Sequence, residues 1–265
     1  MKFSRYIFLS FCIVAMINHN VMAEQQKETV VTPSGGTPLT QEEIDSRIGR
    51  FGEVDEIPED FQFNEAEVLL WHEDHLGNIE EPVSLYYEFV KSGSFEEGFT
   101  DSVYLKILEL NEDGSKNAMM EFFTAEKKQV VTPDNVTNIR GNPAIGIYMQ
   151  GDVYEMNRIA EGHWRHFQKS IKISLRNDAV VEPTTFKFNG KDYKGEKVFF
   201  SPYLNDPHRR NFEKFADKYY EFIFSDEIPG SLYQITTIIH DRSKEDAEPL
   251  ILETLTLIDV KSNAS

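Results

Sequence analysis

The stretch EGHWRHFQKSIK, residues 161–172, sets His163 and His166 three residues apart around a tryptophan. WHEDH, residues 71–75, repeats the spacing with His72 and His75. Imidazoles at i and i+3 share a helix face, so the two pairs together offer the four nitrogen donors that zinc or copper accepts without cysteine. Three features oppose that chemistry. The helical projection puts Trp164 and Phe167 on the buried stripe and leaves His163 and His166 on its flank. WHEDH has no clear period, and as a strand it would point its two histidines to opposite faces. Nothing in the sequence brings the two segments together. The expectation is no bound metal and no cofactor.

Carboxylates are abundant, and the pair best placed for acid/base work is Glu88 and Glu221, inside the similar strands YYEFV (86–90) and YYEFI (219–223). A carboxyl buried among aromatics has a raised pKa, which a general acid needs. Strand alternation instead puts each on the solvent side. There is no Gly-rich phosphate loop, nucleophile elbow, zincin helix or dinucleotide fingerprint. A non-catalytic protein is the reading these residues favour.

The helix of the first motif carries a second pattern. Trp164, Phe167, Ile171 and Leu175 form one apolar stripe. Arg165, Lys169, Lys172 and Arg176 follow at spacings of four, three and four, a basic stripe about a quarter-turn away. Such a stripe is either a solvated face that pairs with the chain's own acid or a docking surface for an anionic head group or an acidic partner. The candidate ligand-binding residues are therefore Trp164, Arg165, Phe167, Lys169, Lys172 and Arg176.

Strands and helices must position these groups. VSLYYEFVKSG, DSVYLKILELN and KNAMMEFFTAE read as an antiparallel meander. Asn142 and Pro143 then open a helical region as cap and first-turn proline, with Ile145, Met149, Val153, Met156 and Ala160 at helical spacing. Gly162 divides it into two helices. TTFKFNG and KGEKVFFSP make a hairpin, a short helix spans about 207–215, and KYYEFIFS, SLYQITTIIH and LILETLTLIDV close the chain. The order of strands, helices, strands, without βαβ alternation, predicts an α+β fold. Its curved antiparallel sheet has about eight strands (meander, helix pair, hairpin, meander) packed around or against amphipathic helices. This order resembles that of periplasmic lipoprotein and lipid carriers, a likeness of architecture that does not fix function.

The first 23 residues read as a secretory signal peptide: Lys2 and Arg5, an apolar run from Tyr6 to Ile17 too short for a membrane anchor, then VMA before a cleavage site. Cleavage would remove two positive charges, taking the formal charge from −18 to −20, and with them Cys12, the one cysteine of the chain. Disulfides and thiolate chemistry are thereby excluded. The acidity argues against nucleic acid as a partner. Residues 24–62 form a flexible acidic leader with a short helix capped by Thr40 and Glu43, and residues 63–265 a single domain. Export to the periplasm of a Gram-negative bacterium, or to the medium, is expected. Three functions fit: a carrier of an apolar or lipid-like ligand, an envelope assembly or interaction protein without a pocket, and an exported hydrolase using carboxylates or a histidine metal site.

Overall fold

Alternation of buried and exposed residues builds nine strands into one antiparallel sheet. The computed structural model describes residues 62–124, 136–243 and 247–263. The segments read as signal peptide, leader and leader helix lie outside these residues. The strands are β1 Val83–Ser92, β2 Phe99–Leu110, β3 Lys116–Phe122, β4 Val136–Ile139, β5 Val180–Phe188, β6 Lys191–Phe200, β7 Tyr219–Phe224, β8 Leu232–Ile239 and β9 Ile251–Ser262. All eight expected strands are present. The ninth, β4, has four residues of which only Ile139 is buried, too few for a period to show.

The strand order is β4-β3-β2-β1-β9-β8-β7-β6-β5. Two meanders thus meet where the C-terminal strand β9 pairs with β1. Register shifts at Tyr86/Tyr87, Ile107/Glu109 and Ile223/Phe224 mark bulges, which bend strands and give the sheet its curvature. β4 and β5 are opposite edges, so the chain between them must cross the whole face of the sheet. It does so as two helices, α2 Pro143–Ala160 and α3 Trp164–Asn177, preceded in the chain by a short helix α1 at Glu65–Glu67. The fold is α+β, a curved sheet around helices.

Each helix starts as its residues dictate. The Asn142 side chain accepts from the Ala144 N–H, and Pro143 occupies the first turn of α2. The helix ends at Glu161 in the left-handed conformation. Gly162 follows because a Cβ there would stand 2.7 Å from the Phe167 ring. His163 caps α3 by accepting from the Arg165 N–H at 3.2 Å. Asn64 and Glu67 form a capping box on α1, which continues through a π turn at Val68–His72. WHEDH is therefore not a strand. Its second half is a turn that closes under α2.

His75 anchors that turn. Nδ1 accepts from the Asn142 N–H at 3.1 Å, and the opposite nitrogen, which must then carry the proton, donates to the Leu69 carbonyl at 2.7 Å. The ring stacks on Phe224, and burial pushes its pKa down, more than the Leu69 bond and Asp74 push it up. The Asn142 amide also donates to Tyr87 and to the Gly230 carbonyl, at 2.9 Å each. One residue thus ties the start of α2 to β1, the β7–β8 connection and the turn after α1.

Candidate functional site

Four inward-facing polar residues line up across the middle of the sheet by direct cross-strand pairing. Lys91 on β1 pairs with Glu253 on β9, Glu253 with Thr237 on β8, and Thr237 with Tyr220 on β7. Each continues an otherwise apolar inward face: Leu85, Tyr87 and Phe89 before Lys91, Leu255 and Leu257 after Glu253. α2 lies over this row and adds Tyr148, Asp152 and Glu155, spaced four and three on one helix face.

The groups bond to one another. Lys91 Nζ stands 2.7 Å from Glu96, 2.6 Å from Glu155 and 3.1 Å from Glu253. Arg158 spans Glu96 and Glu155 at 2.8 and 2.6 Å. Tyr148 lies 3.0 Å from the Thr237 hydroxyl and donates to Glu253 at 3.5 Å. At the far end Lys218, fully buried, pairs with Asp152, which also accepts from Tyr220; the Tyr203 and Tyr220 hydroxyls are 3.3 Å apart.

Four carboxylates (Glu96, Asp152, Glu155, Glu253) meet three cations (Lys91, Arg158, Lys218) in this seam, so it carries one surplus acid. The surroundings sort the acids. Burial raises the Glu155 pKa, but hydrogen bonds from Arg158 and Lys91 outweigh it and hold the group at about 2. Asp152 is pushed up, by burial first and then by the Glu253 charge, against the pull of Lys218. Burial would lower Lys91, yet Glu253, Glu155 and Glu96 raise it. The hydroxyls of Tyr148, Tyr203 and Tyr220 are raised by burial and by the carboxylates beside them. The donors and acceptors bond to one another, so the seam binds helix to sheet.

The residues predicted from sequence fall elsewhere. Phe167 is fully buried, edge-on to Tyr203 and Phe212 at 5.5 Å each, and Ile171 and Leu175 are buried with it. Trp164 is half-buried, with Tyr154 at 6.3 Å and the Arg165 guanidinium 4.6 Å over its ring. Ser174 is also buried, which widens the inward face of α3 and turns the basic stripe toward solvent. Arg165, Lys169 and Lys172 are exposed, while Arg176 is half-buried and pairs with Glu67 at 2.6 Å. Three of the four cations of the stripe therefore lie on the outer surface of α3.

The four histidines have separate settings. His75 is in the core, His163 caps a helix, and His72 ends the π turn, its pKa lowered by burial more than Glu67 raises it. His166 stands 2.8 Å from Asp206 without the alignment of a hydrogen bond. Asp206 also accepts from Ser170 at 2.9 Å, so serine and histidine both meet the carboxylate. Among the described residues no three His, Cys, Asp or Glu side chains are grouped to hold a metal ion. Glu88 is exposed on β1 and Glu221 half-buried on β7, with two strands between them. They do not form a pair.

Two open clefts stand out among the described residues. One, of about 400 Å³, is lined by Arg209, Lys214, Asp217, His240, Arg242 and Leu250 among others. The second, of about 290 Å³, is lined by Asp178, Phe199, Phe200, Leu204 and Tyr219 among others. No described helix is long and apolar enough to cross a membrane.

No family model matches the chain, and no curated protein matches it in sequence. Among solved structures it is similar to LprF from Mycobacterium bovis, at 12% identity and a TM-score of 0.28, over 76% of this chain and 95% of the other. It is also similar to a LolA superfamily protein from Nitrosomonas europaea, at 10% identity and a TM-score of 0.19, over 76% and 94%. Likenesses this distant leave function to the site itself.

Proposed function

We propose that the chain is an exported, non-catalytic carrier of an apolar, lipid-like ligand, with α2 and α3 as a cover that lifts from the concave face of the sheet. The observation that supports this reading is the ionic seam. A helix held only by apolar side chains loses all of that burial when it separates. Charged groups instead recover their hydration when water enters, which offsets much of the lost pairing. Beside the seam the concave face is aromatic and aliphatic, including Phe89, Phe200, Phe222, Leu255 and the cover residues Met149, Val153 and Met156. Lifting α2 would uncover an apolar trough crossed by one hydrated row.

Lipid uptake tests this. The full chain, stripped of lipid, is mixed with a fluorescent phospholipid and a fluorescent fatty acid, and α2 is followed by hydrogen exchange. Saturable uptake with faster exchange in α2 is expected. A chain that takes up neither probe and co-purifies with no lipid is not a carrier. Export is tested apart, by intact mass: a mature N-terminus at Glu24 is expected, and a product retaining Met1 to Ala23 would refute it.

An interaction protein without a pocket is the second reading. It is favoured by how fully Phe167, Tyr203 and Phe212 fill the space under α3, and by exposed Ile173, Val180, Leu204 and Ile258. Failure of uptake in the test above selects it.

A further inference from the structure

We infer that the outward face of α3 is a docking surface for an acidic segment of a partner protein. α3 holds four cations and no carboxylate in 14 residues, WRHFQKSIKISLRN, inside a chain of net charge −18. An exposed helix ordinarily interleaves acid and base at i, i+4, where opposite charges support the helix and like charges oppose it. Here Arg165 and Lys169, Lys169 and Lys172, and Lys172 and Arg176 are all like-charge neighbours at spacings of four, three and four. Arg176 supports the fold, since it sits in the last turn and pairs with Glu67, but the spacing of Arg165, Lys169 and Lys172 opposes the helix, and a local sequence choice that works against the fold points to function.

Shape and composition narrow the partner. The exposed cations Arg165, Lys169 and Lys172 form a line about 10 Å long at the helical rise, while Arg176 beyond them is half-buried and held by Glu67 at 2.6 Å. Trp164, half-exposed beneath the Arg165 guanidinium, closes one end, and Ile173, 48% exposed, lies beside the row. Tryptophan and arginine are the residue types that anchor protein interfaces. An anionic membrane is the other candidate. It presents charge over a plane and would repel the acid on the rest of this molecule. An acidic segment meets only the charges within a Debye length, about 8–10 Å at physiological salt. Docking on the outer face of α3 does not depend on what lies beneath the helix, so it stands or falls separately from lipid uptake.

The probe is a labelled helical peptide with glutamates spaced four and three and leucines beside them, read by fluorescence anisotropy on the full chain at low and high salt. Its control has the same composition with the glutamates scrambled. The matched peptide should bind about tenfold more tightly than the scrambled one and weaken with salt. Lys169→Glu with Lys172→Glu should lower its affinity about tenfold or more, and the milder Lys169→Gln with Lys172→Gln should weaken it less. Unchanged circular dichroism in either variant shows that folding is intact. Equal binding of the two peptides, or binding that ignores both double variants, overturns the assignment. So does flotation with mixed phosphatidylglycerol and phosphatidylcholine vesicles in place of peptide binding.

Discussion

Lys91 is the residue on which the seam depends, because three carboxylates within 3.1 Å share its one ammonium group. Lys91→Met keeps the length of the side chain, leaves Glu253 buried without a cation, and leaves Arg158 alone to Glu96 and Glu155. Removing one member of a buried ion cluster costs about 3–5 kcal/mol, or about 10 °C in Tm for a domain this size; urea and thermal unfolding measure it. His75 gives a separate acid signature. Its folded pKa is depressed below the ordinary 6.5. The unfolded chain therefore binds the proton first, and stability present above about pH 6.5 declines as pH falls below it. Glu155 works in the same direction lower down: with its folded pKa at about 2, its contribution is present above the usual carboxylate range and is lost as pH falls toward 2. Asp152 runs the other way, since a raised carboxyl pKa favours the fold below the ordinary value and loses that contribution as pH rises through the folded pKa. Glu155→Gln should thus flatten the lower limb of the stability profile and leave the limb near pH 6 in place, as seen by unfolding at a series of pH values.

Strands and helices were largely legible from local patterns, because each is written in a run of neighbouring residues. Asn189-Gly190 at positive φ makes the β5–β6 turn, and Asn142-Pro143 starts α2 as the cap rule requires. The repeated YYEFV and YYEFI strands bury the same positions, Tyr87 with Phe89 and Tyr220 with Phe222. α1 was not legible: its buried residues are few, and Asn64 is held by the carbonyls of Leu175 and Arg176, over a hundred positions away. The short helix expected at about 207–215 is two 3₁₀ turns, Arg209–Asn211 and Glu213–Phe215. The seam has a trace in the sequence. Lys91 and Glu253 break apolar alternation on the inward face, whereas Glu88 and Glu221 obey alternation on the outward face. What local pattern could not supply was the pairing of β1 with β9, which alone brings Lys91 to Glu253. At this scale Asn142 is the test. Asn142→Ala removes the α2 cap and leaves the Tyr87 hydroxyl and the Gly230 carbonyl without it. A loss of about 3 kcal/mol is expected from cap and buried hydrogen bonds together, with hydrogen exchange rising first at the start of α2.

For the whole molecule, the strand order decides what the seam can do. Because β4 and β5 are opposite edges, the two helices are carried by one continuous crossing that joins the sheet at its two ends. The ionic row lies under the middle of that crossing, where α2 meets β1, β9, β8 and β7. Converting Lys91, Glu155 and Glu253 together to methionine or leucine removes three of the seam's charges at matched volume and leaves the Lys218–Asp152 and Arg158–Glu96 pairs in place. Such replacements are commonly neutral or stabilise by about 1–4 kcal/mol, the opposite of Lys91→Met alone. If the seam exists only to hold the fold, the triple variant should behave as a more stable wild type in every assay. If the seam keeps the cover separable, the same variant should unfold later in urea yet exchange α2 amides more slowly and take up fluorescent lipid about tenfold more slowly, since opening by about 1.4 kcal/mol less often gives that factor. Stability and uptake moving in opposite directions is the outcome expected of a carrier. A triple variant that gains stability with uptake unchanged would separate the seam from ligand entry and leave it a structural feature of the sheet.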